Sequence, residues 1–301
     1  MFYALRQRLN YQWFNFKNRA ILSTPPLVCD PDGPYFVTQL CRRDLFIYLA
    51  AVKTFSQSIR PSRVHALDDG SLTTADRALL RTHIKDIVFL ELKDYRSPHC
   101  PANGCWERLL AVAELCQTRY VVQLDSDTIT LGDISEVQNC IMQEESFVIS
   151  VKDNQEIEYM PSAVATARGH LMDGNGIQPV SEASFDQLEN HEALKYARGC
   201  AGFSGFAKGA TSREFIENIS RQMFKAVGGR WSEWGTEQVT SNIAIANSPK
   251  AIMLPHPKYC NCTRIREGVT QFIHFIGYCR FKGGIYSRLV SAASASLNAK
   301  S

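Results

Sequence analysis

The sequence predicts an α/β fold: a single domain with a central, mostly parallel sheet flanked by helices, in the Rossmann-like manner. Three observations predict it. Short β-rich runs alternate with helical ones from Tyr35 to Leu124. The run Tyr120-Val121-Val122-Gln123-Leu124 is almost continuously apolar, as a strand covered on both faces must be. Carboxylates follow that run at once, at the strand edge where such sheets gather ligands.

The elements follow in order. Residues 35–40 read as a strand, 44–58 as a helix and 63–67 as a second strand that ends in Asp68-Asp69-Gly70-Ser71. Residues 74–84 are helical, 87–92 a strand, 105–116 an amphipathic helix and 120–124 the buried strand. The resulting βαβαβαβ order calls for right-handed crossovers and a parallel sheet. Gly, Pro and Asn punctuate residues 153–198, which read as an irregular insertion or lid. Regular pattern returns with a strand at 200–207, helices at 211–226 and 238–246, and strands at 251–254 and 270–275. The Ala/Ser-rich stretch 291–301 reads as a frayed helix. The organisation expected is a basic amphipathic extension (1–29), one domain (30–286) and a C-terminal tail (287–301).

Composition bounds the function. The chain has 301 residues, 45% hydrophobic and 21% charged, which suits one large globular domain. Its longest apolar run, Leu45 to Val52, is far short of the roughly 20 residues of a membrane span. No apolar stretch of signal-peptide type follows Arg6 and Arg8, so a cytoplasmic location is expected. Ten cysteines in a chain of this size predict reduced thiols rather than a disulfide framework. The spacings Cys100-x4-Cys105 and Cys260-x-Cys262 lack the paired halves of a zinc site. Residues 1–29 hold four basic residues and no acid, and residues 255–301 hold seven against Glu267 alone. The centre between them is acidic. That is a poor surface for nucleic acid, but one suited to a cation, with basic ends able to reach a phosphorylated small molecule.

Asp125-Ser126-Asp127 is the first chemical signal. With 14 Asp in the chain, a D-x-D arises by chance about 0.65 times, and Asp30-Pro31-Asp32 is a second one. Context separates them, because Asp125 ends a buried strand. Two carboxylates there are costly unless neutralised. If the strand continues, its period of two turns both to one side, where Mg2+ or Mn2+ would suit them. A turn or a helix cap would use the same residues.

Four further motifs follow the same order as a known family. Arg108 lies in Cys105-Trp106-Glu107-Arg108-Leu109, and Cys200-Ala201-Gly202 opens a strand. Glu237-Gln238-Val239-Thr240-Ser241-Asn242 and His274-Phe275-Ile276-Gly277-Tyr278-Cys279-Arg280 come later. Together with Asp-Ser-Asp the set resembles the nucleotide-sugar glycosyltransferases of the GT-A fold, in particular the retaining glycosyltransferase family 8, over residues 35–286. Cys200 stands where that family has Asn, Glu237 where it has Asp and Arg280 where it has Lys. Leu40-Cys41-Arg42-Arg43 offers no counterpart to its acidic contact with the nucleotide base.

The resemblance implies a metal-dependent transferase that moves a sugar from a nucleotide diphosphate, with UDP as the expected nucleotide, onto a glycan or lipid-linked acceptor with retention. Asp125, Asp127 and His274 would hold Mn2+ or Mg2+ against the diphosphate, and the imidazole tilts the preference to Mn2+. Ser126, Ala201, Gly202, Gly277, Arg280 and Lys282 would contact the nucleotide-sugar. Gly277 would allow close backbone approach, and Arg280 a bidentate grip on phosphate. Gln238 would lie under the anomeric carbon, where an amide suits a front-face mechanism better than a base or nucleophile. Glu237 would pair with Arg108, which faces donor hydroxyls; the alternative makes Glu237 a nucleophile. Asp69 would touch the nucleoside or simply make an Asp-Gly turn. Trp231 and Trp234 would stack on an acceptor sugar or merely pack. Two rivals remain: a non-catalytic nucleotide-sugar or glycan binding protein on a decayed transferase fold, and a sugar nucleotidyltransferase, which should carry a Gly-rich loop near residues 40–44.

One stripe stands apart. Phe2, Leu5, Leu9, Trp13, Phe16 and Ala20 fall on one side of a helix, with Arg6 and Lys17 along one margin and Arg8 and Arg19 along the other. Such a helix either lies on the inner face of an anionic membrane or docks on protein.

Overall fold

The computed structural model describes residues 2–102, 104–172, 176–277 and 279–299, with side chains from Arg6 onward. In chain order the elements are α1 (Phe2–Lys17), β1 (Tyr35–Leu40), α2 (Leu45–Phe55), β2 (Arg63–Asp68), α3 (Thr74–His83), β3 (Ile87–Glu91), α4 (Trp106–Leu115), β4 (Val121–Leu124), β5 (Thr128–Thr130), α5 (Ser135–Met142) and β6 (Ser146–Ser150). There follow β7 (Glu158–Tyr159), α6 (Met160–His170), α7 (Ile177–Glu182), β8 (Lys195–Tyr196), β9 (Gly199–Phe206), α8 (Arg213–Val227), α9 (Thr236–Ala246), β10 (Ala251–Leu254), β11 (Tyr259–Asn261), β12 (Phe272–His274) and α10 (Ile285–Ala299). The fold is mixed α/β, with a mostly parallel seven-stranded sheet flanked by helices. The chain forms two compact units: Met1–Glu91 with Leu124–Gln138 and Pro257–Ser301, and Leu92–Gln123 with Asn139–His256.

In the first unit β2 lies between β1 and β3, parallel to both, and a small sheet runs β11-β12-β5. α2 is apolar nearly all round and buried at every position but Phe46, as a helix covered on all sides must be. Its Lys53 is caged: Nζ donates to Thr24 Oγ1 (2.7 Å) and to the carbonyls of Thr24 and Pro25 (3.1 and 2.7 Å), and lies 3.0 Å from His83 Nδ1. Burial drives its pKa down to about 8. α3 starts with a capping box in which Thr73 Oγ1 accepts from Asp76 N–H while the Asp76 carboxylate accepts from Thr73 N–H.

In the second unit β6 pairs with β10 in parallel and with β9 antiparallel, and β4 borders β9. Its core gathers Leu109 and Val112 of α4, Phe147, Phe203 and Ile243. α8 begins where Ser212 Oγ accepts from Phe215 N–H.

Three expectations are corrected. The described residues of 153–198 include the helices α6 and α7; α6 accommodates Pro161 because it falls in the first turn, where a missing N–H costs nothing. As far as it is described, to Ala299, the tail is regular helix: α10 buries Tyr286, Val290, Ser294 and Leu297 as one stripe, hidden in the sequence by its Ala/Ser setting. Cys262 and Cys279 form a disulfide, so the thiols are not all reduced. No helix among the described residues is long and apolar enough to cross a membrane.

Candidate functional site

The acidic triplet spans the gap between β4 and β5. β12 pairs antiparallel with β5 and sets His274 opposite Thr128. The ladder runs one bond further, since Phe275 N–H donates to the Asp127 carbonyl at 2.7 Å. That register brings a residue 147 positions away to the acids: His274 Nε2 lies 3.1 Å from Asp127 Oδ1 and 3.8 Å from Asp125 Oδ2. One ligand atom from each of the three lies within 4.8 Å of the others. The backbone beneath is braced by Tyr286, whose hydroxyl donates to the carbonyls of Ser126 and Thr128 at 3.5 and 3.3 Å.

Arg280 closes the cluster. One of its terminal nitrogens pairs with Asp127 and the other donates to the Tyr11 hydroxyl. Asp44 lies 3.7 Å away. Burial pushes the Asp127 carboxyl up, but His274 and Arg280 outweigh it and hold it well below the usual carboxylate range. Burial, reinforced by Asp44, raises the Tyr11 phenol to about 12, so it stays protonated. Asp125 is partly exposed and Asp127 buried. Two carboxylates and an imidazole make a donor set that fits Mn2+ or Mg2+. The ion would take the Nε2 lone pair, so binding would release any proton held there.

In the second unit α9 is tied to β9 at two points. Gln238 Oε1 accepts from Ala201 N–H at 3.2 Å, and Asn242 Nδ2 donates to Gly199 O at 3.0 Å. Four residues of helix rise about 6 Å and two residues of strand about 6.7 Å, so the i, i+4 pair meets alternate strand residues in register. Gln238 is the one residue of α9 that is not buried. With its carbonyl held by Ala201, its amide NH2 is left to donate outward. α9 is also tied to α4: Trp106 Nε1 donates to Thr236 Oγ1 at 3.1 Å, and Arg108 donates to Glu237 Oε1 at 3.2 Å.

No family model and no curated protein matches the chain. Solved structures do. One is an active-site mutant of LgtC, with a TM-score of 0.52 and 10% identity over 87% of this chain and 95% of that one. Another is the glycosyltransferase GlyE of Streptococcus pneumoniae TIGR4, with a TM-score of 0.51 and 10% identity over 89% of this chain and 62% of that one. A third is the galactosyltransferase LgtC in complex with donor and acceptor sugar analogues, with a TM-score of 0.44 and 12% identity over 87% and 95%.

The chain has the GT-A fold.

Within that fold the motif residues sort themselves by burial. Ser126 is buried beside the acids, and Ala201 and Gly202 are buried in β9. A Cβ added at Gly277 would meet no protein atom, and Lys282 is exposed. Asp69 is exposed and accepts from Ser71 N–H at 2.9 Å, which is the Asx-turn geometry. Trp231 is fully buried, donates to Ser220 Oγ at 3.0 Å and packs edge-on to Trp106, so its ring has no face for a sugar. Trp234 is 79% exposed. Tyr278 lies outside the described residues. The sequence reading missed Tyr11 and Asp44, both facing Arg280. Tyr11 lies among the polar residues beside the aromatic stripe, and Asp44 read as a helix start; only the fold brings them to Arg280. It also missed Gln123, whose amide donates to Ala201 O from inside an apolar strand. A polar residue in so apolar a run was the available signal.

Proposed function

We propose that this protein is a metal-dependent glycosyltransferase, using a nucleoside diphosphate sugar and acting with retention on a glycan or lipid-linked acceptor. The observation that carries the reading is the convergence of Asp125, Asp127 and His274 to within 4.8 Å. The fold shared with glycosyltransferases supports it. A bound Mn2+ or Mg2+ would supply charge stabilisation for the departing diphosphate. Asp125, Asp127 and His274 would orient that charge, and Arg280 would meet phosphate oxygens while keeping Asp127 ionised. Gln238 would donate its amide protons toward the sugar, and Glu237 would hold Arg108 to donor hydroxyls rather than attack. Trp234 would offer an aromatic face to an acceptor.

A second reading has one observation in its favour. Arg280 already neutralises Asp127, so a protein that binds nucleotide-sugar without turnover would tolerate the same arrangement. A panel of nucleotide-sugars assayed for hydrolysis with Mn2+ and after chelation separates the two. Metal-dependent release of nucleoside diphosphate supports the transferase, and saturable binding with no release supports the binder. Binding unaffected by either metal or Asp127→Asn removes the metal role.

A further inference from the structure

The geometry points to a docking surface for an anionic lipid bilayer on the outer side of α1, with a cavity for one phosphate headgroup between α1 and α10. This rests on the surface alone and not on the reaction proposed above.

α1 has two faces. Tyr11 and Phe14 turn inward, as does Asn18 just past the helix end. Phe14 meets Phe281 and Tyr286 with ring centres 5.9 and 5.2 Å away, and Asn18 donates to Ser287 Oγ at 2.8 Å and accepts from Ser291 at 3.0 Å. This inward face docks the helix, so the aromatic stripe is not needed for that purpose. Leu9, Trp13 and Phe16 stand outward, 55, 60 and 61% exposed, with the last two rings stacked at 6.2 Å. Phe2 and Leu5 continue the stripe in sequence, but their side chains lie outside those described.

The rim is cationic. Lys17 Nζ lies 4.9 Å from the Trp13 ring and Arg19 lies 5.4 Å from Phe16. No acid occurs in residues 1–29, so nothing on this segment would repel an anion. Beside the stripe is a cavity of about 430 Å3 whose lining includes Trp13, Lys17, Phe281, Ser287 and Arg288, and no acidic residue. Arg280 also lines it but belongs to the acidic cluster described above, where it pairs with Asp127 and donates to Tyr11. Lys17 and Arg288 are therefore the cations a headgroup would meet, with the Ser287 hydroxyl beside them. Apolar aromatics bordered by cations, next to an acid-free pocket, match a surface that is negative outside and apolar within. An anionic bilayer is such a surface.

The test is flotation of the full chain with vesicles of phosphatidylcholine alone and of phosphatidylcholine with phosphatidylglycerol. Binding is expected only with the anionic lipid and should weaken as salt rises. The pair Trp13→Ser/Phe16→Ser and the pair Lys17→Glu/Arg288→Glu should each lower the bound fraction roughly tenfold or more. Because these side chains lie at the surface, thermal melts should hold. Millimolar inorganic phosphate should leave most of the vesicle binding intact. Equal binding to neutral vesicles, undiminished binding of either variant, or full displacement by phosphate would overturn the proposal. So would self-association through this face, lost on substitution at Trp13, with no vesicle binding at all.

Discussion

Arg108 and Glu237 meet at 3.2 Å with both side chains only 5% exposed, joining α4 to α9 in the second unit. Removing one member of such a pair strands a buried charge, which costs about 3–5 kcal/mol, whereas replacing both by apolar residues is often near neutral. Arg108→Met should therefore lower stability by about 3 kcal/mol in urea unfolding, and Arg108→Met/Glu237→Leu should recover much of it. A double variant as unstable as the single would mean that the pair is not what holds these helices. Glu237→Gln keeps a hydrogen bond and removes the charge. It should retain measurable turnover, whereas abolished turnover with an intact melt would favour Glu237 as nucleophile.

The metal prediction is a difference between two acids. Asp127 is buried and held ionised by His274 and Arg280, while Asp125 is partly exposed. Asp127→Asn should cost Mn2+-dependent nucleotide binding by more than tenfold and also some stability, because Arg280 loses its partner. Asp125→Asn should cost binding alone. Calorimetric titration of Mn2+ with UDP, run beside thermal melts, reads both quantities. Equal melts for the two variants would contradict the assigned asymmetry.

Gln238 reaches Ala201 with its carbonyl and, on the present reading, the donor sugar with its amide. Gln238→Asn shortens the side chain by one methylene, so it cannot reach both. Turnover should fall by about a hundredfold while donor affinity changes little, as expected for a group displaced by an ångström. Steady-state kinetics decide it, and an unchanged rate excludes Gln238 from the transition state.

Two buried histidines set a pH dependence of stability. Burial lowers the pKa of His65 to about 4, and burial with nearby Lys53 does the same for His83. Between the ordinary value near 6.5 and about 4 the unfolded chain then binds more protons than the folded one, so stability rises with pH across that window and is lost as pH falls. The cost arises because protonating either ring in the folded chain puts a charge in a buried place. His65→Gln should flatten the fall of the melting temperature from pH 6.5 to 4. A variant that tracks the parent chain throughout would remove His65 as a cause.

The sheet was legible because its signals are local: β-rich runs of four to six residues, Gly or Asp at their ends, helices between. The acids were legible because they end a strand. What sequence could not deliver depends on long-range register. Nothing near Tyr11 announces Arg280, 269 residues on; the Arg108–Glu237 pair was expected only through the family resemblance, because Glu237 by itself reads as an ordinary acid in a first helical turn. Trp231 and Trp234 are three residues apart and chemically identical, yet one is core and the other surface; only packing separates them. The helix α6 was hidden by Pro161, which reads as a breaker except in a first turn.

Tyr11 gives the N-terminal helix a second importance. Its hydroxyl accepts a hydrogen bond from the same guanidinium that neutralises Asp127, and its ring packs edge-on against Phe281, one residue beyond that arginine. Trimming the first twenty residues, the usual shortcut for improving the behaviour of a sticky protein, would therefore reach the acidic cluster as well as the exterior. Such a shortened chain would report on a disturbed Arg280, and loss of nucleotide binding in it would say nothing about where the intact molecule resides.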